Sequence, residues 1–156
     1  MTLNIGDQAP DFTLSTENTG DRISLSQFKG QPVILYFYPK DHTPGCTKQA
    51  CDFRDLYPAF SKLDVKVFGI SKDSSNTHAK FKAKHHLPFS LLVDDQGKVC
   101  EAYGAFKEKS MFGKTFLGIN RSTIFIDTKG IVRAIWRNVK VPGHVEQVLD
   151  AIKQNS

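Results

Sequence analysis

The longest uninterrupted apolar run is Val33–Tyr38, VILYFY, and it reads as a buried strand that Pro39 ends. Shorter runs at Val65–Ile70, Phe89–Val93, Ser122–Asp127 and Ile131–Arg137 predict four more strands. The last two are joined by Thr128-Lys129-Gly130, a strong hairpin signal. Near the N-terminus, Phe12 and Leu14 alternate with polar residues, as do Ile23 and Leu25. The Gly20 turn between them predicts a small hairpin, followed by one helical turn over 24–28.

Helical spacing takes over after Thr43. Cys46, Ala50, Phe53, Tyr57 and Phe60 fall on one face, which Leu56 and Leu63 widen. Pro58 interrupts the pattern and predicts a kink there, or a stop near Tyr57. A second helix is expected from Ser74 or Ser75 to about His86, closed by Pro88. A last helix carries Val145, Val148, Leu149 and Ile152 on one side. Lys98–Phe106 reads as a short helix or loop. Lys107–Asn120 reads as a loop anchored by Met111, Phe112, Phe116 and Leu117. Strands alternating with helices, then a hairpin and a helix, indicate one layered α/β domain over 1–156 with a mixed sheet.

Composition narrows the function classes. The 156 residues are 40% hydrophobic and 24% charged, ordinary for a single globular domain. The net charge of +5 comes from scattered lysines without interleaved aromatics, so nucleic-acid binding is not expected. No apolar run approaches the roughly 18 residues of a membrane span. The opening MTLNIGDQAPDF lacks a basic stretch followed by an apolar core, so no signal peptide is expected and the cytoplasm is the expected compartment. Three cysteines, an odd number, do not form the framework of a small secreted protein, and their spacing is not a zinc-ribbon pattern.

Cys46 is the first candidate for chemistry. Thr43 stands at the predicted N-cap, Pro44 at the first helical position and Cys46 at the third. Helix N-termini present unpaired N–H groups and positive potential, which push a thiol towards thiolate. A buried structural cysteine on an apolar stripe is the alternative. Cys51 could be a resolving thiol or a core cysteine. Five residues along an ideal helix place the two Cα atoms about 8.7 Å apart. A disulfide needs less than about 7 Å, so bonding them requires the first turns to unwind. A metal site built on His42, Cys46 and Cys51, helped by His78, His85, His86 or His144, matches no common ligand spacing, and no metal or cofactor is expected. His85-His86 reads as a solvated helix end. Arg121, just ahead of a strand, could stabilise a thiolate or form a surface ion pair. Cys100 follows the Gly97 turn in a polar context and reads as a bystander.

The stretch PKDHTPGC at Pro39–Cys46, continuing TKQACDFRD, resembles the peroxiredoxins. A second cysteine five positions on is similar to the bacterioferritin comigratory protein, or peroxiredoxin Q, subgroup. GDQAPDFTL, FGKTFLGINRSTIFID and VKVPGHVEQVL fit as well, so the resemblance spans nearly the whole chain. It implies a thioredoxin-like sheet with helices on both faces and a short N-terminal strand extension. By position, Cys46 matches the peroxidatic cysteine, Cys51 the resolving one, and Thr43, Pro39 and Arg121 the residues that shape the pocket. The implied chemistry is reduction of hydrogen peroxide and organic hydroperoxides, with thioredoxin or a similar dithiol as reductant; a monomer is expected, although the sequence does not fix the oligomeric state. Gln49 stands where many members carry Glu, which keeps an acceptor and removes a charge. Three non-peroxidase readings stay open beside it. One is a disulfide oxidoreductase, although its usual C-x2-C is absent. The others are a thiol redox sensor with slow peroxide turnover and a structural protein.

Overall fold

The computed structural model describes residues 3–155. A hairpin of β1 (Thr13–Ser15) and β2 (Arg22–Ser24) leads into a 3-10 turn at Leu25–Phe28. Then follow β3 (Val33–Phe37), α1 (Pro44–Lys62), β4 (Lys66–Ser71), α2 (Ser75–His85), β5 (Ser90–Val93) and α3 (Lys98–Ala102). The chain continues through β6 (Phe106–Met111), β7 (Lys114–Ile119), β8 (Ser122–Ile126), β9 (Val132–Trp136) and α4 (His144–Gln154).

Seven strands form one mixed sheet in the order β2-β1-β5-β4-β3-β8-β9. The centre, β3-β4-β5, is parallel, as helical crossovers through α1 and α2 require. β8 joins antiparallel to β3, and β9 antiparallel to β8. The continuous apolar run at 33–37 is explained by cover on both faces. Val33, Leu35 and Phe37 pack towards Val99, Cys100 and Tyr103, the α3 side. Ile34 and Tyr36 pack towards Phe53 and Phe60 of α1, Phe81 of α2 and Val148 of α4. Each such fully buried side chain contributes about 1.5–3 kcal/mol. With all five of its residues buried, β3 is therefore expected to be among the last parts to open. The first two turns of α1 bury only Cys46, Gln49 and Ala50.

The structure departs from the sequence reading at three places. The segment 107–120 is not a loop: β6 and β7 pair antiparallel from Phe106↔Ile119 to Met111↔Lys114. The turn uses two positive-φ residues, Phe112 at 53° and Gly113 at 76°. Met111, Phe112, Phe116 and Leu117 do not anchor it, because all four are exposed; a ribbon that meets the core only at its Phe106–Ile119 base leaves no period-two signature. Of the two outcomes expected at Pro58, the stop near Tyr57 does not occur: α1 is one helix from Pro44 to Lys62. Pro58 is exposed, so the carbonyl it leaves unpaired can turn to water. Cys100 is fully buried in the α3-side core, since Gly97, at φ 72°, turns the chain inward just before it.

Candidate active site

Leaving β3, the chain passes half-buried Pro39, turns at Asp41 and His42, and starts α1 behind an extended Thr43. Thr43 occupies the N-cap position, but its hydroxyl does not cap the helix; it donates to the Lys40 carbonyl at 2.7 Å. Among the described residues no side chain caps this first turn, so its amides keep the positive potential of a helix start. Cys46, third in the helix, is 2% exposed.

Sheet register delivers Arg121. β8 lies antiparallel to β3 with Ser122 opposite Phe37, so the residue before β8 emerges where β3 ends. Arg121 Nη2 lies 3.4 Å from Cys46 Sγ, and Nη1 donates to Gln49 Oε1 at 2.6 Å. Gly45 permits this approach: a Cβ there would stand 3.2 Å from Nη2. Gln49 is wholly buried, its Oε1 holds one arm of the guanidinium fork, and its Nε2 has no partner among the described residues. It is a neutral acceptor, so Arg121 has no carboxylate in this contact and its charge is left facing the sulfur.

That field registers on neighbouring groups. Burial, then Lys107 and Arg121, hold half-buried Lys109 below the usual lysine range, against an upward pull from Cys46. His144, buried with Nε2 2.8 Å from Thr123 Oγ1, is brought down to about 4 by burial and by Arg121, opposed by Glu146. Burial, followed by Asp41, Cys46 and Cys51, holds the Tyr36 hydroxyl well above its ordinary value, so it stays protonated behind the site.

The structure brings Cys46 and Arg121 into contact and sets Thr43 directly ahead of the helix that carries the thiol. Pro39 lies on the same connection, at the end of β3. Cys51 is half-buried in the same unbroken helix, and all three cysteines are free. His42, Cys46 and Cys51 do not gather as a donor set among the described residues. His85 sets its ring edge against Phe81, while His86 is exposed in a left-handed cap, so only the second is a solvated helix end. The resemblance marked Gln49 only as a departure from Glu, and neither its contact with Arg121 nor the room that Gly45 leaves was expected. The apolar stripe pointed to Cys46 and Ala50 but gave no reason to bury the glutamine between them. An apolar cleft lined by Ala9, Leu25, Phe28, Val33 and Ile126 lies at the opposite end of β3 and holds none of these residues.

The AhpC/TSA family profile matches residues 5–135. Peroxiredoxin Bcp of Bacillus subtilis strain 168 is 50% identical over 156 residues, covering 100% of this chain and 99% of the relative. The chain belongs to the AhpC/TSA family. A putative peroxiredoxin Bcp of Coxiella burnetii is 52% identical over 149 residues, covering 96% of this chain and 98% of the relative. A structure of the Xanthomonas campestris bacterioferritin comigratory protein, described for its alkyl peroxide reduction activity, superimposes with a TM-score of 0.91 at 40% identity, covering 98% of this chain and 97% of that one. The peroxiredoxin resemblance and the thioredoxin-like fold are thereby borne out, and thiol peroxidase chemistry goes with the membership. Within this AhpC/TSA member, the match spans the helix start, Arg121 and the strand that follows it.

Proposed function

We propose that Cys46 is the peroxidatic residue and Cys51 its resolving partner, in one catalytic domain spanning 1–156. The observation that carries this reading is the 3.4 Å contact between Arg121 Nη2 and Cys46 Sγ at a helix start that the Thr43 side chain leaves uncapped. The Cys46 thiolate attacks one oxygen of a hydroperoxide in line with the O–O bond. The S–O bond forms, the O–O bond breaks, and the leaving oxygen takes a proton to become water or an alcohol. Arg121 and the helix amides meet the negative charge as it moves along this line, where preorganised donors act most strongly. The Thr43 hydroxyl, now donating to Lys40, stands close enough in sequence to turn to the peroxide. Pro39 shields the pocket. Cys46 is left as a sulfenic acid.

Resolution requires α1 to open. Cys46 and Cys51 share the helix at about 8.7 Å between Cα atoms in ideal geometry. The weakly buried first turns can melt while β3 stays in place. Cys51 sulfur then displaces the hydroxyl as water, and an external dithiol, thioredoxin or a similar one, returns both thiols by exchange. Hydrogen peroxide and organic hydroperoxides are the substrates, and the study of alkyl peroxide reduction by the Xanthomonas relative supports the second class. We take the working unit to be a monomer in the cytoplasm, acting without metal or cofactor; no helix among the described residues is long and apolar enough to cross a membrane.

A coupled assay with peroxide, thioredoxin and its reductase should show sustained turnover that Cys46→Ser abolishes. Mass spectrometry of the oxidised protein should find a Cys46–Cys51 bond, with amide exchange rising over 43–52 alone. A rapid oxidation phase that survives Cys46→Ser would overturn the assignment. One oxidation without turnover would favour the sensor reading.

A further inference from the structure

The loop before α1 is held by groups that the chemistry above does not use. Asp41, two residues ahead of Thr43, is buried with both carboxylate oxygens engaged. The Tyr38 hydroxyl donates to Oδ1 at 2.6 Å, and Oδ2 lies 2.6 Å from His78 Nδ1. His78, on α2, is wholly buried, and its Nε2 lies 2.9 Å from the Leu92 carbonyl oxygen. A carbonyl only accepts, so Nε2 carries a hydrogen. The short contact between Nδ1 and Oδ2 needs another, whichever of the two atoms holds it. In both arrangements the pair is neutral overall. The Asp41 N–H donates to Asp73 Oδ2, which also accepts from the Ser71 hydroxyl.

Two features follow. The holdfasts of Asp41 lie on Tyr38, the end of β4, the connection to α2, and α2 itself; none lies on α1. The donor atoms of Asp41, Asp73 and His78 come within 4.8 Å of one another, but each residue is already hydrogen-bonded, so the cluster is a closed network rather than an open ligand set.

We propose that Asp41 and His78 form a positioning pair for the peroxidase step, fixing the Pro39–Thr43 loop while the first turns of α1 open and covering a carboxylate that would otherwise oppose charge on Cys46. The proposal rests on Cys46 being the attacking thiol. Asp41 and Cys46 both act on the buried Tyr36 hydroxyl, which places them in one electrostatic neighbourhood. Among the described residues, Tyr38 and Asp73 are hydrogen-bonded to the pair, Arg121 lies against the thiol, and Lys109 interacts with Cys46 electrostatically.

The test reads single-turnover peroxide oxidation, and Cys46 alkylation against pH, in reduced full-length protein. His78→Leu leaves the carboxylate uncovered. Oxidation at neutral pH should fall about tenfold, with the alkylation profile moving about one pH unit upward. Asp41→Asn keeps every hydrogen bond, because an amide can donate to Nδ1 while its oxygen accepts from Tyr38. It should stay within about threefold of the parent and, combined with His78→Leu, should return the profile towards its original position. If His78→Leu does not fold, His78→Gln carries the same expectation for the profile. A folded His78 variant with unchanged rate and profile overturns the proposal, as does an Asp41→Asn loss equal to that of His78→Leu. Failure of the Cys46 assignment would show separately, as peroxide oxidation that persists in Cys46→Ser.

Discussion

Cys46 and Cys100 are both buried, at 2% and 0% exposure, and both stand in the first turn of a helix. Their surroundings have opposite signs. At α1 the Thr43 side chain leaves the amides uncapped, and a guanidinium lies 3.4 Å from the sulfur. At α3 the buried Asp94 carboxylate takes the N–H groups of Val99 and Cys100, at 3.2 and 2.8 Å. Those donors are spent, and the thiol faces a negative charge. Burial first, then a hydrogen bond and the charge of Asp94, drive the Cys100 thiol far above its ordinary value. On the proposed assignment of Cys46 as the attacking thiol, burial alone does not decide whether a cysteine reacts; the charge presented to the desolvated sulfur does.

The largest break in this contrast should come from Arg121. Removing one preorganised donor at such a site costs about 2.7–4 kcal/mol. Arg121→Ala should thus slow Cys46 oxidation by roughly a hundredfold or more, measured by stopped flow with the fold checked by circular dichroism. Arg121→Lys should recover little of it, because an ammonium cannot hold Gln49 and the sulfur with a two-armed fork. An unchanged rate in folded Arg121→Ala would return this residue to an ordinary partly buried cation.

Much of the frame was legible because two periodicities are strong. The run at 33–37 and the stripe through Ala50, Phe53 and Phe60 are set by burial, and burial leaves its mark on residue type. The placement of Cys46 at a helix start followed from Thr43 and Pro44. The approach of Arg121 did not: it depends on β8 pairing with β3 at Phe37↔Ser122, a contact between residues far apart in the chain. The hairpin of β6 and β7 was missed for lack of a buried face, and Cys100 because polar neighbours concealed an inward turn. Gln49 reads as a helix residue until Arg121 gives it a reason to be buried.

A second, smaller effect would measure the positive side of the contrast by titration. His144 stays neutral in the fold down to about pH 4, and Arg121 is one cause. Its unfolded value is near 6.5, so between about pH 6.5 and 4 the unfolded chain binds the extra proton. Stability is complete above that window and falls as the pH drops through it, by at most about 3 kcal/mol, with no further loss from this residue below it. Denaturant melts of the parent and of His144→Gln, which can keep a bond to Thr123, should diverge only across that window. In Arg121→Ala the histidine should titrate at a higher pH, by NMR of its ring protons. A histidine that does not move would mean that Arg121 projects little field beyond the sulfur.

The smallest expected effect tests the negative side. Asp94→Asn removes the charge opposite Cys100 but supplies no cation, and its oxygen can still accept one of the two N–H groups. Desolvation, the larger cause, remains. Cys100 should therefore stay slow to alkylate in the folded protein, within about tenfold of the parent, and far slower than Cys46. Cys100→Ala should leave peroxide turnover nearly unchanged while costing about 1 kcal/mol, a few degrees in Tm, for the lost buried sulfur. Both results would mean that a desolvated thiol needs a positive partner to react, and that releasing it from a negative one is not enough. If Asp94→Asn instead brought Cys100 to the reactivity of Cys46, a helix start without a guanidinium would suffice. The weight placed on Arg121 would then pass to the uncapped amides of α1.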